Sequence, residues 1–200
     1  MTRIPCHTID DAPPASRALL ADLVQFSPAG QVLNLHAQMA HAPAVLVAYA
    51  SIRRATAEFG TLDQRLRSAL MLVTAAAGGN AYALAITTML ARRSGWQPGG
   101  IAALRSGGRV GEPQADALIA VIREAAGSSG LVSDATWARA VAAGCTDDDL
   151  AEAFAYLGLT VFTVYFLNYA GTELDVPAST EPDGPAGGGF AAAAAGPGHL

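Results

Sequence analysis

The stretch that decides the fold is residues 61–96, TLDQRLRSALMLVTAAAGGNAYALAITTMLARRSGW. Its first half places apolar residues at spacings of three and four, the signature of one apolar helical face: Leu62, Leu66, Ala69, Leu70 and Val73. Gly78 and Gly79 predict the end of this helix, because glycine accepts the left-handed dihedrals of a C-cap. Asn80 then suits the N-cap of a second helix. The stretch therefore predicts a helical hairpin.

The composition of the chain favours a single all-helical domain. Its 200 residues are 52% hydrophobic and only 14% charged, which is enough for a substantial core. Alanine is abundant, and glycine and proline cluster between the periodic segments. We expect one domain over residues 1–177. Residues 178–200 carry much glycine and proline and few branched side chains, so we expect a disordered tail there.

Prolines, capping residues and apolar periodicity predict helices on both sides of the hairpin. Their expected bounds are about 14–26, 34–41 with Asn34 as cap, 43–59, 98–106, 112–126, 133–144 and 148–170. Thr146 precedes three aspartates, residues 147–149, which we interpret as a helix start rather than a metal site, because consecutive helical residues point in different directions. The last helix and the second hairpin helix are apolar on nearly all sides. We therefore expect an oligomer that covers them.

The charge pattern argues against two classes of partner. The formal net charge is −5 and the arginines are spread thinly, which disfavours nucleic acid and an anionic membrane surface. The longest apolar run, residues 153–167, is short for a membrane span, so we expect a buried helix there. The N-terminal residues contain no apolar run of signal-peptide length, which favours a cytoplasmic protein. A small neutral or apolar molecule is the expected partner.

Ten residues in and around the hairpin follow a recognisable frame: Leu62, Asp63, Arg65, Gly79, Tyr82, Leu90, Ala91, Arg92, Arg93 and Gly95. This frame resembles the core motif of the carboxymuconolactone decarboxylase and alkylhydroperoxidase D-like family, approximately L-D-x-R-x-R-E-L…G-C-x-Y-C-x-x-x-H…L-A-R-R-x-G. Matches at 34–35, 40–43, 162–163, 168 and 171–175 extend the resemblance over about residues 3–177. It implies an all-α, alkylhydroperoxidase D-like helical bundle built around a central helical hairpin. It also implies a homo-oligomer, either a trimer or a hexamer.

The residues that carry chemistry in this family are missing at the matching positions. In its redox branch a glutamate, two cysteines and a histidine form a proton relay and a reducible dithiol. By the resemblance, Ser68, Asn80, Ala83 and Thr87 occupy those positions and are expected to line whatever pocket persists. Peroxide reduction needs a thiolate and a resolving thiol, and the decarboxylase branch uses a histidine and a glutamate that Thr87 and Ala83 replace. We therefore expect both activities to be lost at this site.

Two other residues are candidates for catalysis. His36 lies on a segment that in the family is close to the active-site pocket, and an unperturbed histidine titrates near neutral pH. Tyr82 keeps the aromatic position of the family and carries a hydroxyl group. His41 is interpreted as a helix-end or packing residue. His7 and His199 lie in the terminal segments and are weaker candidates.

The function that fits these observations is a non-redox, degenerate or repurposed pocket that binds or transforms a small apolar molecule. We expect no cofactor and no metal, because the chain shows neither a glycine-rich phosphate loop nor a metal-ligand spacing. If the protein is an enzyme, a cofactor-independent lyase or isomerase fits better than a thiol peroxidase. The alternative is residual family activity, either decarboxylation or peroxide reduction through Cys6 or Cys145. These two cysteines are far apart and are expected to be unpaired.

Overall fold

The computed structural model describes residues 2–25, 27 and 30–178. Within these residues the regular structure is all helical, which confirms the predicted fold class. The helices are α1 (Pro14–Val24), α2 (Asn34–Met39), α3 (Pro43–Phe59), α4 (Gln64–Gly78), α5 (Ala81–Arg93), α6 (Pro98–Ser106), α7 (Pro113–Gly127), α8 (Asp134–Ala142) and α9 (Asp147–Ala170). Apart from residue 178, the predicted tail lies outside the described residues.

Helices α4 and α5 form the predicted hairpin. The carboxylate of Asp63 caps α4 by accepting the backbone N–H of Leu66 at 2.9 Å. Gly79 ends α4 with a φ of 63°, in the left-handed region that favours glycine. The side chain of Asn80 caps α5 by accepting the backbone N–H of Ala83 at 3.0 Å. Local signals in the sequence therefore account for both ends of the turn.

Asn34 does not cap α2, so this part of the prediction is wrong. It is the first residue of the helix, and Leu33 occupies the N-cap position. A carboxylate oxygen of Asp175 accepts the backbone N–H of Asn34 at 2.6 Å. The N-terminus of α2 is thus capped by a side chain 141 residues away and not, as the local sequence predicts, by the asparagine. The expected end of α1 near residue 26 lies outside the described residues, and α1 ends at Val24.

Helix α9 begins with a capping box and runs through the centre of the fold. The hydroxyl of Thr146 accepts the backbone N–H of Asp149, and the Asp149 carboxylate accepts the backbone N–H of Thr146. Among the described residues α9 alone is long and apolar enough to cross a membrane by length and composition. It nevertheless packs against α3, α4, α5 and α7. Its other side is uncovered, since Phe154 and Tyr165 are 65% and 54% exposed.

The buried residues form two clusters. The α7 cluster joins α4, α6, α7, α8 and the first half of α9, and includes Leu70, Trp96, Ile101, Ile119 and Leu157. The α3 cluster joins α1, α2, α3, α5 and the second half of α9, and includes Leu20, Met39, Leu46, Ala83 and Leu167. Helix α4 contributes to both, because residues on opposite faces of it are buried. The candidate site lies on the side of the α3 cluster.

Candidate functional site

A cavity of about 330 Å³ lies between α2, α3, α4, α5 and α9. We name it the His36 cavity. Its walls are mainly apolar: Leu33, Leu35, His36, Tyr49, Arg53, Thr56, Ala57, Gln64, Arg67, Met71, Ala83, Ile86, Thr87, Met89, Leu90, Tyr156, Leu159, Thr160 and Thr163. A volume in the range of about 300–1,000 Å³ and a mainly apolar lining are typical of small-molecule sites.

His36 is buried in the wall of this cavity, with 3% of its surface exposed. Its Nε2 atom lies 3.4 Å from the hydroxyl oxygen of Tyr49, and the two ring centroids are 5.4 Å apart. Burial, and then the positive charge of Arg53, lower the pKa of His36 to about 3. The imidazole is therefore neutral at pH 7. The sequence alone predicts that His36 titrates near neutral pH. In the folded protein its imidazole is instead a neutral hydrogen-bonding group.

A hydrogen-bonded chain leads from His36 to the cavity rim. Arg53 donates from Nη1 to the Tyr49 hydroxyl oxygen at 3.5 Å, and that hydroxyl is placed to donate to Nε2 of His36. The tyrosine ring stacks on Phe162, with centroids 6.5 Å apart. Sequence analysis missed the roles of Arg53 and Tyr49. Their spacing of four on α3 is the signal that puts both on one helical face.

The opposite wall holds a second arginine, Arg67, which is hydrogen-bonded to the backbone. Arg67 donates to the carbonyl oxygens of Gly60 and Leu62, and its guanidinium carbon lies 6.0 Å from the Tyr156 ring centroid. The Tyr156 hydroxyl donates to Glu152 at 2.8 Å. Burial and this carboxylate raise the pKa of Tyr156, so its hydroxyl stays protonated. Both cavity walls therefore present hydrogen-bonding groups, not a free base.

The threonines of the lining add little polarity. Thr87, Thr160 and Thr163 each donate their hydroxyl hydrogen to the carbonyl oxygen four residues earlier, at 2.7 to 2.8 Å. Thr56 donates to the carbonyl oxygen of Arg53 at 2.9 Å. Because these hydrogens are committed to the backbone, the threonines cannot readily donate to a ligand without losing a bond. The cavity thus behaves as more apolar than its composition indicates.

The four positions that by the resemblance correspond to the family's relay do not all line one cavity. Ala83 and Thr87 line the His36 cavity. Ser68 lies outside it, with its hydroxyl oxygen 2.6 Å from that of Ser94. Asn80 caps α5 and donates from Nδ2 to Asn168 at 2.6 Å. The expectation that all four line one pocket is therefore corrected: two of them do.

Ser68 belongs to a neighbouring depression of about 400 Å³, which we name the polar annex. Its lining is Gln25, Ser27, Arg53, Gln64, Ser68, Met71, Leu90, Arg93 and Ser94. Arg53, Gln64, Met71 and Leu90 also line the His36 cavity. The annex therefore adjoins the cavity, and its lining is more polar. The sequence gives no local signal for it, since its lining comes from four separate segments.

Tyr82 is not among the residues that line the His36 cavity. It is buried, and its hydroxyl donates to the Oδ1 atom of Asp175, whose Oδ2 atom accepts the N–H of Asn34. Burial, and then Asp175, raise the pKa of Tyr82. The side chain therefore anchors the segment after α9 to α5 and α2. This position gives Tyr82 a structural function and no contact with the cavity.

His7, His41 and the two cysteines do not line the His36 cavity, and His199 lies outside the described residues. His7 is 2.9 Å from His41 through ring nitrogens and 3.0 Å from Asp11, in a linear array on the protein surface. Cys6 and Cys145 are both free, and neither lines the His36 cavity. Burial raises the pKa of each thiol, and neighbouring carboxylates raise it further. Both thiols are therefore poorly suited to act as nucleophiles at neutral pH.

No protein-family model matches the sequence, and no curated protein matches it significantly. Solved structures do match. The chain is similar to an uncharacterized peroxidase-related protein from Ralstonia eutropha JMP134 with an alkylhydroperoxidase AhpD core, at 19% identity and a TM-score of 0.75, over 87% of this chain and 92% of that one. It is also similar to a peroxidase-related protein from Silicibacter sp. TM1040, at 15% identity and a TM-score of 0.67, over 95% and 96%.

A third similar structure is the debrominase Bmp8, in a cysteine-to-alanine variant bound to 2,3,4-tribromopyrrole. It has 13% identity and a TM-score of 0.71, over 88% of this chain and 92% of that one. At such low identity these likenesses concern the fold, because one fold hosts many activities. They confirm the predicted alkylhydroperoxidase D-like helical bundle. The function has to be argued from the cavity.

Proposed function

We propose that this chain, which has the alkylhydroperoxidase D-like fold, uses the His36 cavity as a non-redox pocket that binds a small apolar or neutral molecule without a cofactor. One observation carries the proposal: Ala83 and Thr87, which by the resemblance correspond to reactive residues of the family, line a mainly apolar cavity. The similar debrominase structure, which contains a small brominated ring, supports the idea that this fold can enclose such molecules.

Binding is favoured over catalysis because the cavity lacks a competent base. A general base works best with a pKa near the working pH, and His36 is far below that with a pKa of about 3. Tyr82, the other predicted catalytic residue, bonds to Asp175 outside the cavity. A cofactor-independent lyase or isomerase remains the alternative for an enzyme. It requires a substrate that brings its own acidic or basic group to His36.

The proposal can be tested by blocking the entrance to the cavity. Ala57 is exposed and lines the cavity, so it lies at the mouth. We expect Ala57→Phe to weaken the binding of 1-octanol and 2,3,4-tribromopyrrole by about tenfold or more, because the ring covers the entrance. Ala55→Phe is the matched control, since Ala55 is exposed on the same helix and is not in the lining. Isothermal titration calorimetry measures both affinities. Equal binding by both variants, or no binding by the wild type, would refute the proposal.

Residual peroxidase activity is the second candidate, and the thiols give it a direct test. We expect the wild type to show no turnover of an organic hydroperoxide with a dithiol reductant, because both cysteines lie away from the cavity and have raised pKa values. The comparison is the Cys6→Ser, Cys145→Ser double variant. Turnover that disappears in the double variant would establish a thiol peroxidase. Turnover that persists would point to a different redox group.

We also propose that the chain forms a homo-oligomer. Phe154, Tyr165 and Tyr169 are 65%, 54% and 71% exposed, and their spacing puts them on one side of α9. Residues 153–172 contain no charged side chain. Exposed apolar patches of this kind mark association surfaces. We expect Phe154→Glu to reduce the mass measured by light scattering, whereas Leu131→Glu, at a residue 75% exposed in another part of the molecule, leaves it unchanged. A monomeric wild type would refute this.

A further inference from the structure

We propose that the ligand of the His36 cavity is a neutral molecule with an acceptor oxygen, such as the carbonyl of a ketone or an ester, and that His36 donates a hydrogen bond to this oxygen from Nδ1. This inference rests on the proposed binding function and narrows it to one class of ligand. It follows from the hydrogen bonds of the cavity wall, which determine where the imidazole carries its hydrogen.

Most polar groups of the described lining already have partners. The four threonines donate to backbone carbonyl oxygens. Arg67 donates to two further carbonyl oxygens, and Tyr156 donates to a carboxylate. Gln64 is exposed, so water can satisfy its amide. The polar contact of a ligand therefore falls to the buried pair of His36 and Tyr49, which are 3% and 6% exposed.

The position of the hydrogen on His36 follows from a chain of donors. A guanidinium group can only donate, so the Tyr49 hydroxyl oxygen accepts from Nη1 of Arg53, at 3.5 Å. The single hydrogen of that hydroxyl then points to Nε2 of His36, 3.4 Å away. Nε2 accepts it only if it carries no hydrogen itself. Because the imidazole is neutral at pH 7, with a pKa of about 3, its one hydrogen lies on Nδ1.

Nδ1 of His36 is a donor without a protein acceptor in the described part of the chain. Among the described residues, His36 makes its hydrogen bond through Nε2, to Tyr49. Nδ1 is also not one of the fully enclosed polar atoms that lack a partner there. It therefore borders accessible space, and the cavity is a space that His36 lines. A donor in a mainly apolar wall gains strongly from an acceptor on the ligand, because the bound pair is shielded from water.

This donor discriminates between chemical classes of ligand. A carbonyl oxygen offers lone pairs and no hydrogen, so it is a direct partner for Nδ1–H. A ligand group that can only donate would meet a second hydrogen there and would bind by apolar contacts alone. An anionic oxygen would also accept, but burial of a charge in a mainly apolar cavity carries a large desolvation penalty. A neutral acceptor on an apolar body fits both the lining and the donor.

Two compounds of nearly the same shape separate the acceptor from the apolar body. 2-Octanone carries a carbonyl oxygen where 2-methyl-1-octene carries a terminal methylene group. Because the alkene is less well hydrated, the informative quantity is the ratio of the two affinities, compared between protein variants. We call this ratio the ketone preference. Calorimetric titration of the full chain measures it, with the alkene titrated by displacement of 1-octanol.

Two substitutions of His36 place an amide near one ring nitrogen or the other: asparagine near Nδ1 and glutamine near Nε2. His36→Gln is expected to lower the ketone preference about five- to tenfold, which corresponds to one neutral hydrogen bond. His36→Asn can still donate near the Nδ1 position and is expected to keep the ketone preference within about twofold. His41→Gln is the matched control, because it removes an exposed histidine that is not in the cavity lining.

Nitrogen-15 magnetic resonance tests the same assignment in the wild type, without a substitution in the cavity. Through-bond correlation to the backbone identifies the ring signals of His36. We expect the hydrogen on Nδ1, and we expect 2-octanone to shift the Nδ1–H signal more than 2-methyl-1-octene does. A hydrogen on Nε2, or equal shifts with the two compounds, would overturn the proposal.

The outcomes distinguish this inference from the proposed function. If 2-octanone, 2-methyl-1-octene and 1-octanol all fail to bind, the proposed binding function itself fails. If they bind and Ala57→Phe excludes them, while His36→Gln keeps the ketone preference of the wild type, only the hydrogen bond from His36 is wrong. If His36→Asn loses the preference as fully as His36→Gln, the donor atom is not Nδ1. If His41→Gln lowers the preference equally, the effect does not arise in the cavity and the inference fails.

Discussion

The two buried clusters differ in how closely their side chains are packed. The α7 cluster is built from Leu70, Trp96, Ile101 and Ile119, and these side chains fill the space between α4, α6 and α7. The α3 cluster borders the His36 cavity, whose lining includes the buried polar side chains of His36 and Thr87. One side of the molecule thus has the close packing of a structural core. The other side borders an open volume that is lined in part by polar groups.

This difference indicates where stability and function lie. Packed apolar side chains contribute dispersion contacts and burial, which an open cavity forgoes. A protein keeps a cavity at this cost when a ligand fills it. Binding to the native state then adds stability that grows with ligand concentration. The α7 cluster therefore supports the hairpin from one side, and in the proposed function the α3 cluster presents the other face of the same hairpin to a ligand.

The largest expected effect is on the free energy of unfolding when a core isoleucine is truncated. Ile101 is fully buried in the α7 cluster, and Ile101→Ala is expected to cost about 3 kcal/mol, within the usual 2–5 kcal/mol. Ile86 is half-buried and lines the His36 cavity. Ile86→Ala is expected to cost only about 1 kcal/mol, because fewer neighbours lose contacts. Urea unfolding measures both, and equal costs would contradict the comparison.

The next effect concerns the pH dependence of stability, which follows from the pKa of His36. That pKa is lowered from 6.5 to about 3 in the folded state, so between these values the unfolded chain binds the extra proton. Stability therefore falls as the pH falls below about 6.5. The contribution of His36 is expected to be about 2 kcal/mol between pH 7 and 5.

The His36→Gln variant isolates this contribution, because glutamine is polar and does not titrate. Carboxylates with lowered pKa values, such as Glu152, also lose stabilisation on acidification, but at lower pH. The comparison of wild type with variant is therefore made between pH 7 and 5. A shallower dependence is expected in the variant. The same slope in both proteins would show that His36 titrates normally in the folded state.

The parts of the structure that were predictable from the sequence depend on local chemistry. Asn80 and Thr146 cap helices through backbone groups within three residues, and glycine at position 79 ends α4 as expected. Such signals need no knowledge of the rest of the fold. Together with the apolar periodicity they predict the hairpin and the all-helical class. Asn34 shows the limit, because Asp175, distant in sequence, takes over its expected function.

The site was less predictable because it depends on packing between distant segments. The sequence singles out His36, which lies in the cavity lining, but the neutral state of its imidazole comes from burial and from Arg53. Tyr82 fits the family motif, yet it is not among the residues that line the cavity, and its hydroxyl bonds to Asp175. Ser68 lines the polar annex, whereas Thr87 lines the His36 cavity. No local spacing encodes these relations.

Tyr82 and Tyr49 test whether the structural role and the ligand-binding role belong to different residues. Tyr82→Phe removes a buried bond to Asp175 and is expected to cost about 1–2 kcal/mol of stability, while 1-octanol affinity changes by less than about twofold. Tyr49→Phe removes the longer 3.4 Å bond to His36 and is expected to cost about 0.5–1 kcal/mol. Because Tyr49 lines the cavity, its loss is expected to weaken 1-octanol about threefold or more. A larger ligand effect for Tyr82→Phe would reverse this assignment.

The smallest expected effect lies at the hairpin turn, where Asn80 makes two separable bonds. Its Oδ1 atom caps α5, and its Nδ2 atom donates to Asn168. Asn80→Ala removes both bonds and is expected to cost about 1 kcal/mol, whereas Asn80→Ser keeps a capping oxygen and is expected to cost about half as much. Neither change should alter 1-octanol affinity, since Asn80 is outside the cavity lining. The matched control is Thr146→Ala. It also removes a helix cap, that of α9, but on the side of the α7 cluster. If Asn80→Ala lowered the affinity for 1-octanol as well as the stability of the protein, the hairpin turn would be part of the binding site. The binding region would then include the start of α5.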